Sequence, residues 1–327
     1  MRMPSVNIMV KIAISVGIVA LLLTRMDWLT ILSKLEEVRI EGMIWGGVFV
    51  LGQIALLSWR WADLVNIDQD SPHMTYFTAL KITLTSLLAN ALFITSIGGF
   101  VARVGLTLHH GVAFIKTLCA ALTDRLMTLT ALAMTATLFL PFLDRFISHQ
   151  ILYVAYVGIA GTILFFAIII PLFYNSHLKD FILTKPKLEA CARYIWALMQ
   201  QRGRFLRILI NSLTAQSFYF ISVYLIAISS GAHFSFIDLM TVLPVITLVA
   251  SLPISFGGWG IREGAFVTGL GIIGVPMETA FIISVEIGVL TMVVTILAGV
   301  PALMAMNLQK ISADLKHLWQ RNQPAAP

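Results

Sequence analysis

Charged residues are scarce in this sequence, and that scarcity indicates its class. Only 12% of the 327 residues are charged, while 58% are hydrophobic and the mean hydropathy is +0.90. A soluble domain carries about 25% charged residues, so most of this chain must be solvated by lipid. The net charge is +6, but the basic residues lie between apolar runs and form no polar surface. Nucleic acid is therefore not an expected partner.

Cysteine is almost absent as well. The chain has two cysteines, Cys119 and Cys191, far apart in the sequence. They form no CxxC motif and no zinc set, and a disulfide framework is not expected. The sequence also lacks HExxH, a Ser-His-Asp order and an ATP-binding motif. We expect no enzyme activity, no metal and no cofactor, although the sequence "DQD" (68–70) imitates the metal-binding Asp-x-Asp of glycosyltransferases.

The apolar runs predict an all-α integral membrane protein. A spanning helix needs about 20 mostly apolar residues, and six runs qualify: 7–24, 42–58, 117–140, 151–173, 208–230 and 279–305. Two further regions, 76–116 and 235–275, are hydrophobic but interrupted by Gly-Gly. No small-residue cleavage site follows the first run, so we interpret it as a retained helix and not as a signal peptide.

Lysine and arginine predict the orientation, because they accumulate in cytoplasmic loops. Segment 174–207 is rich in them and is expected to be cytoplasmic, as are both termini, whereas loop 231–237 has none and is expected to be outside. Each Gly-Gly region then starts and ends on one side of the membrane, which predicts two re-entrant helical hairpins. Loop 59–75, with Arg60 as its one lysine or arginine, gives this orientation little support.

Two amphipathic features accompany the spans. Segment 187–204 is expected to form an interfacial helix against the anionic inner leaflet, with a solvated basic loop as the alternative. Its apolar residues fall on one helical face: Leu188, Cys191, Ile195 and Leu198. Tryptophans flank the first two spans, as an interfacial aromatic belt would; they are Trp28, Trp45, Trp59 and Trp61.

A ten-residue stretch occurs twice. The sequences "SIGGFVARVG" (96–105) and "SFGGWGIREG" (255–264) share five positions: Ser96 with Ser255, Gly98 with Gly257, Gly99 with Gly258, Arg103 with Arg262, and Gly105 with Gly264. A helix with an acidic residue in its first half follows each stretch. The repetition of this stretch predicts two inverted membrane repeats, 1–145 and 146–310, before a cytoplasmic tail over 311–327. Inverted repeats with broken helices are typical of secondary transporters.

The residue types in this motif suit an anion. A helix that restarts after Gly99 or Gly258 would point free N–H groups and a positive dipole end at the break. Arg103 and Arg262 follow in the first turn, where a guanidinium can bind a phosphate through two N–H groups. The predicted substrate-binding residues are Ser96, Gly98, Gly99, Arg103, Ser255, Gly257, Gly258, Arg262 and Glu263.

Other interpretations of these residues stay open. Glycine pairs in membrane helices also serve close packing, and arginines also anchor helices at the membrane surface. The acidic residues of these regions either bind coupling protons or cations, or act as counter-ions to arginine. They are Asp124, Glu263 and Glu286, and the arginines near them are Arg103, Arg125 and Arg262.

Three stretches carry a family resemblance: "NALFITSIGGFVARVGLTLHHG", "ALTDRLMTL" and "SLPISFGGWGIREGAFV". They resemble the transmembrane flippase-like family of lysylphosphatidylglycerol synthases, the multiple peptide resistance factors, over roughly residues 10–305. The resemblance implies a stand-alone member without the synthase domain, in the bacterial cytoplasmic (inner) membrane. It also implies that the chain moves a phospholipid from the inner to the outer leaflet.

The sequence thus predicts a transporter that flips a phosphate-bearing lipid through a pocket between two inverted repeats. The expected partner is an anionic or phosphate-containing membrane lipid. One alternative is a non-transporting partner of a separate lipid- or glycolipid-modifying enzyme. A membrane-embedded lipid transferase is the weaker alternative. A lipid-synthesis enzyme and a second copy of the chain are further candidate partners.

Overall fold

Helices make up most of the residues that a computed structural model describes, namely 6–37, 39–67, 72–93, 96–147, 186–251 and 259–306. In chain order the helices are α1 (Val6–Thr24), α2 (Trp28–Glu37), α3 (Ile40–Val65), α4 (Tyr76–Phe93), α5 (Ser96–His109), α6 (Phe114–Phe139), a 3₁₀ helix (Leu140–Arg145), α7 (Pro186–Gln200), α8 (Arg202–Ser229), α9 (Phe236–Ala250), α10 (Ile261–Ile272) and α11 (Met277–Met304). The prediction of an all-α membrane protein is confirmed.

Within the described ranges, four helices are long and apolar enough to cross a membrane: α3, α6 with the 3₁₀ helix, α8 and α11. They contain the predicted runs 42–58 and 117–140 and all but the last residue of the runs 208–230 and 279–305, and α1 coincides with the run 7–24. The chain is therefore a multi-pass membrane protein. Three predicted features lie outside the described residues: the run 151–173, the sequence "DQD" (68–70) and the tail 311–327.

Two pairs of shorter helices occupy the regions that Gly-Gly interrupts. Helix α4 packs along α5, and α9 packs along α10, which also contacts α1. At 1.5 Å per residue, α5 and α10 are about 21 and 18 Å long. Both are shorter than the bilayer core, which is about 30 Å thick. These lengths and contacts agree with helical hairpins, and their re-entrant placement in a membrane stays a prediction.

The chain divides into two compact units. One, which we call the Arg262 unit, comprises Met1–Gln53, Thr128–Ile170 and Leu213–Val293. The other, the Arg103 unit, comprises Ile54–Met127, Pro171–Ser212 and Val294–Pro327. Each unit contains one copy of the repeated motif and one pair of short helices. The division into repeats at residue 145 stays a prediction.

Glycines bring α3 and α8 close together in the Arg262 unit. A Cβ at Gly42 would overlap the side chain of Ser229, and a Cβ at Gly52 would overlap the ring of Phe218. The hydroxyl of Ser222 donates to the carbonyl oxygen of Gly46 over 2.9 Å. Small residues allow such close approach of membrane helices, where packing replaces the hydrophobic effect as the stabilising force.

Helix α7 packs on the core of the Arg103 unit. Its residues Tyr194 and Leu198 are buried in a cluster with Trp61 and Leu64, and the hydroxyl of Tyr194 donates to the carbonyl oxygen of Leu64 over 3.0 Å. This apolar face therefore packs on protein, where the sequence predicted lipid. Amphipathicity alone cannot distinguish the two, because both environments favour one apolar face.

The two cysteines meet in the same unit. The Sγ atoms of Cys119 on α6 and Cys191 on α7 lie 2.8 Å apart, and both thiols are free. The sequence could not predict this contact, because the two cysteines are 72 positions apart. The tryptophan prediction is wrong for Trp61, which is fully buried, whereas Trp45 and Trp59 are exposed.

Candidate functional site

The first motif begins helix α5 and packs it tightly on α4. Gly99 faces α4, where a Cβ would overlap the side chain of Asn90 and the carbonyl oxygen of Ser86. The N–H of Gly99 donates to Oδ1 of Asn90 over 2.7 Å. At this position the missing side chain therefore serves close packing of two helices, which is the structural alternative that the sequence left open.

The predicted break after Gly99 is wrong. Helix α5 begins at Ser96, so Gly98 and Gly99 lie inside its first turn. The first N–H groups of a helix have no partner within the helix, and Asn90 on the facing helix accepts the one from Gly99. Sequence reasoning missed Asn90, because a lone asparagine in an apolar helix shows no sign of its partner.

Arg103 lies one turn further along α5 and belongs to a cluster of five side chains that we call the Arg103 site. Its Nη1 donates to Oδ2 of Asp124 over 3.0 Å, and Nε of Arg60 donates to Oδ1 of the same carboxylate over 2.7 Å. The Cζ atom of Arg103 lies 4.8 Å from the ring centroid of Trp61. Arg60 also donates to the hydroxyl of Ser212 over 3.0 Å.

The three charged groups of the Arg103 site carry one net positive charge, since two guanidinium groups share one carboxylate. The side chains of Arg60, Arg103 and Asp124 are 3%, 16% and 11% exposed. Removal of charges from water is expensive unless they are paired, so Asp124 is essential to hold both arginines there. Arg125, its neighbour, points to the exposed side of α6.

Sequence reasoning placed Arg60 in a loop and missed its role. Helix α3 in fact continues to Val65, so Arg60 and Trp61 lie inside it. A signal was available, because an arginine within an apolar helix marks a functional candidate by default. The predicted run ended two residues before Arg60, so Arg60 was not recognised as part of the helix.

The second motif forms the Arg262 site at the start of α10. Gly260 precedes the helix with φ +86°, a conformation that favours glycine, and its backbone lies against Ser15 of α1. Glu263 is buried and accepts hydrogen bonds from the N–H of Gly260 over 2.5 Å and from Nη2 of Arg262 over 2.6 Å. The backbone N–H of Gly260 at the start of α10 therefore already binds a carboxylate, that of Glu263. Ser255, Gly257 and Gly258 lie outside the described residues.

Arg262 is held on two further sides. Its Cζ atom lies 4.8 Å from the ring centroid of Trp259. On α11, Gly288 leaves space for the guanidinium, since a Cβ there would overlap three of its atoms. The Arg262 site thus consists of Trp259, Arg262, Glu263 and Gly288.

The two sites have the same arrangement of an arginine, an indole and a carboxylate, but the carboxylate comes from a different position relative to the motif. Each guanidinium lies 4.8 Å from an indole and is paired with a buried carboxylate. Arg103 is paired with Asp124, 21 residues further along the chain, whereas the corresponding acid Glu286 follows Arg262 by 24. The adjacent Glu263 pairs with Arg262 instead.

Glu286 lies elsewhere in the Arg262 unit, and none of the arginines that the structure describes contacts it. Only 7% of it is exposed, and its Oε2 lies 2.5 Å from the hydroxyl oxygen of Ser230. Its Oε1 is buried and has no hydrogen-bond partner among the described residues. Of the three acids that the sequence singled out, Asp124 and Glu263 are counter-ions, and Glu286 is not.

Both arginines keep the capacity to bind an anion. Among the described residues, none accepts a hydrogen bond from Nε or Nη2 of Arg103, or from Nη1 of Arg262. Each side chain is also partly open, at 16% and 17% exposure. Guanidinium N–H groups in this state suit a phosphate oxygen. Across the described ranges, no group of three His, Cys, Asp or Glu side chains is arranged to hold a metal ion.

Comparison with known proteins gives the family. A family model described as lysylphosphatidylglycerol synthase TM region matches residues 8–299. The match covers most of the 327 residues and includes both copies of the motif, so it shows the family. No curated protein and no solved structure matches the chain.

Proposed function

We propose that this chain, which belongs to the lysylphosphatidylglycerol synthase TM-region family, moves a phosphate-bearing lipid between the leaflets of a bacterial cytoplasmic membrane. The name of the family links its membrane region to phosphatidylglycerol, whose headgroup contains one phosphate. The chain is expected to carry this lipid without chemical change. Both termini are expected on the cytoplasmic side.

The observation that carries the proposal is the pair of oriented arginines, one in each unit. An indole and a carboxylate fix each guanidinium, and some of its N–H groups have no acceptor among the described residues. At the Arg103 site, two guanidinium groups and one carboxylate leave a positive charge. A phosphate would neutralise this charge and accept the unused hydrogen bonds.

The carboxylates favour transport over permanent binding. A phosphate that approaches Arg103 or Arg262 must share the guanidinium with Asp124 or Glu263, which are already paired with it. This competition lowers the net free energy of binding, because each new contact replaces part of an existing one. A carrier has to release its cargo, so moderate affinity suits translocation.

The helix pairs α4–α5 and α9–α10 are proposed to be re-entrant hairpins that bring the two arginines to bilayer depth. Their short second helices support this placement, and so does the repeat of the motif in regions predicted to have opposite orientation. An arginine at that depth costs about 2.5–3.5 kcal/mol or more, which agrees with the presence of a buried acid at each site.

Leaflet exchange in liposomes tests the proposal. The purified protein is reconstituted with a fluorescent phosphatidylglycerol analogue, and a membrane-impermeant reductant reports the fraction in the outer leaflet over time. Arg103→Ala and Arg262→Ala are each expected to abolish protein-dependent exchange while the protein stays folded. Lys at either position is expected to restore it only partly, because Lys cannot form the planar two-point contact.

Arg202→Ala is the matched control, since Arg202 is exposed at the start of α8. We expect it to exchange lipid like the unaltered protein. Full exchange by Arg103→Ala and Arg262→Ala would overturn the proposal. An unaltered protein that co-purifies with lipid but never exchanges it would favour the alternative of a non-transporting partner.

A further inference from the structure

Glu286 is a buried acid for which the arginine sites provide no explanation. It lies on α11, with 7% of its surface exposed, and its nearest polar partner is Ser230 at the end of α8. Its Oε1 is enclosed without a hydrogen-bond partner in the part of the chain that the structure describes. An ionised carboxylate with an unsatisfied oxygen is expensive in such a place, so a neutral carboxylic acid fits this geometry better.

Ser230 provides a hydrogen-bond arrangement for both protonation states. Its hydroxyl lies 2.8 Å from the carbonyl oxygen of Ile226 and 2.5 Å from Oε2 of Glu286, but a hydroxyl has only one hydrogen to donate. When Ser230 donates to Ile226, the contact with Glu286 requires that the acid donates its own proton. When Glu286 is ionised, the hydroxyl can turn and donate to the carboxylate.

The carbonyl of Ile226 tolerates this change of partner. It also accepts the N–H of Ser230 over 3.0 Å and the hydroxyl of Ser229 over 2.8 Å. Rotation of the Ser230 hydroxyl therefore leaves no backbone group unsatisfied. A proton can bind to Glu286 and leave it without loss of helix hydrogen bonds, as a reversible proton site requires.

Among the side chains that the structure describes, no charged group neutralises Glu286. Helices α2 and α10 pack with α11 through an apolar cluster that includes Ile31, Val267 and Ile282, and α3 packs on α8 at Ser229. In the Arg262 unit, the acidic, basic and histidine side chains that the structure describes on these elements, on α11 and in the segments that adjoin them are Arg25, Asp27, Lys34, Arg39, Glu41, His233, Arg262, Glu263 and Glu278. Arg262 and Glu263 pair with each other, and none of the nine contacts Glu286 within the described ranges.

We propose that Glu286 is a proton-binding site that couples lipid movement to a proton gradient, an inference that rests on the proposed function. The link to the Arg262 site is short, because Gly288, two residues further along α11, lies against the Arg262 guanidinium. Any movement of α11 that opens Glu286 to water also moves Gly288 relative to Arg262. Proton release and the position of the anion-binding arginine therefore change together.

Infrared spectroscopy tests the proton site without reference to transport. The C=O stretch of a protonated carboxylic acid is separate from the carboxylate bands, so its loss on substitution identifies the acid. We expect Glu286→Gln to remove one protonated-carboxyl band at neutral pH. Glu278→Gln, a change of a partly exposed acid on the same helix, is expected to leave that band in place. Retention of every such band in Glu286→Gln would overturn the proposal.

Leaflet exchange under an imposed pH gradient tests the coupling. A pH-sensitive dye inside the liposomes records proton movement while fluorescent phosphatidylglycerol is exchanged. The unaltered protein and Glu278→Gln are expected to exchange lipid faster under one sign of the gradient and to move protons with the lipid. Glu286→Gln is expected to keep exchange without a gradient and to lose both the acceleration and the proton signal.

The outcomes separate the two proposals. If the unaltered protein exchanged lipid at the same rate with and without the pH gradient, or if a sodium gradient drove exchange instead, proton coupling would be overturned. Lipid transport would stay in place. Absence of exchange under every condition would overturn lipid transport. Ser230→Ala provides a second variant: it keeps the acid but removes the alternative hydrogen-bond donor, and it should hinder proton release and weaken the gradient dependence.

Discussion

The guanidinium of Arg262 lies against Gly288 of the neighbouring helix α11, in space that any side chain at position 288 would fill. Trp259 and Glu263 hold the same guanidinium from other sides. Gly288 therefore contributes to the position of Arg262 although it has no functional group. The sequence showed no sign of this role, since "EIGVL" (286–290) is unremarkable within an apolar helix.

Gly288→Ala is expected to abolish lipid exchange with little change in melting temperature. The added methyl group collides with the end of a flexible side chain, which can move away, and alanine favours a helix over glycine by about 0.5–1 kcal/mol. Arg262 is then displaced from its position. Exchange in liposomes and thermal unfolding in detergent measure the two effects.

Gly271→Ala is the matched control, because a Cβ at Gly271 on α10 would meet no atom within 4 Å. It is expected to leave both exchange and melting temperature nearly unchanged. If Gly288→Ala kept full exchange, Gly288 would have no part in the position of Arg262.

Asp124→Asn is expected to destabilise the protein strongly. The substitution leaves two buried arginines without their shared carboxylate, and loss of one partner of a buried ion pair costs about 3–5 kcal/mol. Thermal unfolding in detergent measures the change. Asp63→Asn is the comparison, since Asp63 pairs with the half-exposed Arg207 over 2.9 Å and such pairs contribute about 0–1 kcal/mol. Equal effects of the two substitutions would mean that Asp124 does not hold the Arg103 site together.

The predicted orientation can be checked by cysteine labelling in a variant that lacks Cys119 and Cys191. Position 232 in the expected external loop is unsuitable, because Ala232 is buried. His233 and Arg202 are both exposed. An impermeant reagent added from outside intact cells is expected to modify a cysteine at position 233 and to miss one at position 202. The opposite pattern would reverse the orientation, and labelling of both would contradict the inverted repeats.

Oxidation of the native cysteines tests whether α7 packs on α6. The Sγ atoms of Cys119 and Cys191 lie 2.8 Å apart, so a mild oxidant should form an intramolecular disulfide with a shift in gel mobility. The hydrogen bond from the Cys119 thiol lowers the pKa of Cys191, and the thiolate is the form that reacts. The rate is expected to rise as the pH increases, with Cys191→Ser as the unreactive control. No disulfide at any pH would show that α7 lies elsewhere.

Local patterns predicted most of the helices, because hydropathy is a property of each segment. Hydropathy alone predicted helices in the runs 7–24, 42–58, 117–140 and 208–230, without information on which segments pack against them. The ends of the helices depend also on packing. Helix α3 extends to Val65, beyond the predicted run, since its last turns pack into the core around Trp61 and Leu64. That extension brought Arg60 into the Arg103 site.

The repeat of ten residues identified both arginines by identity alone, and the membrane class followed from composition. The partners at the Arg103 site depended on tertiary structure, because they come from distant positions: Arg60 and Asp124 are separated by 64 residues. The direction of a side chain on its helix then decided which acid each arginine received. Asp124 faces Arg103, whereas Glu286 faces Ser230. Sequence thus determined which groups carry charge, and packing decided which of those charges are paired.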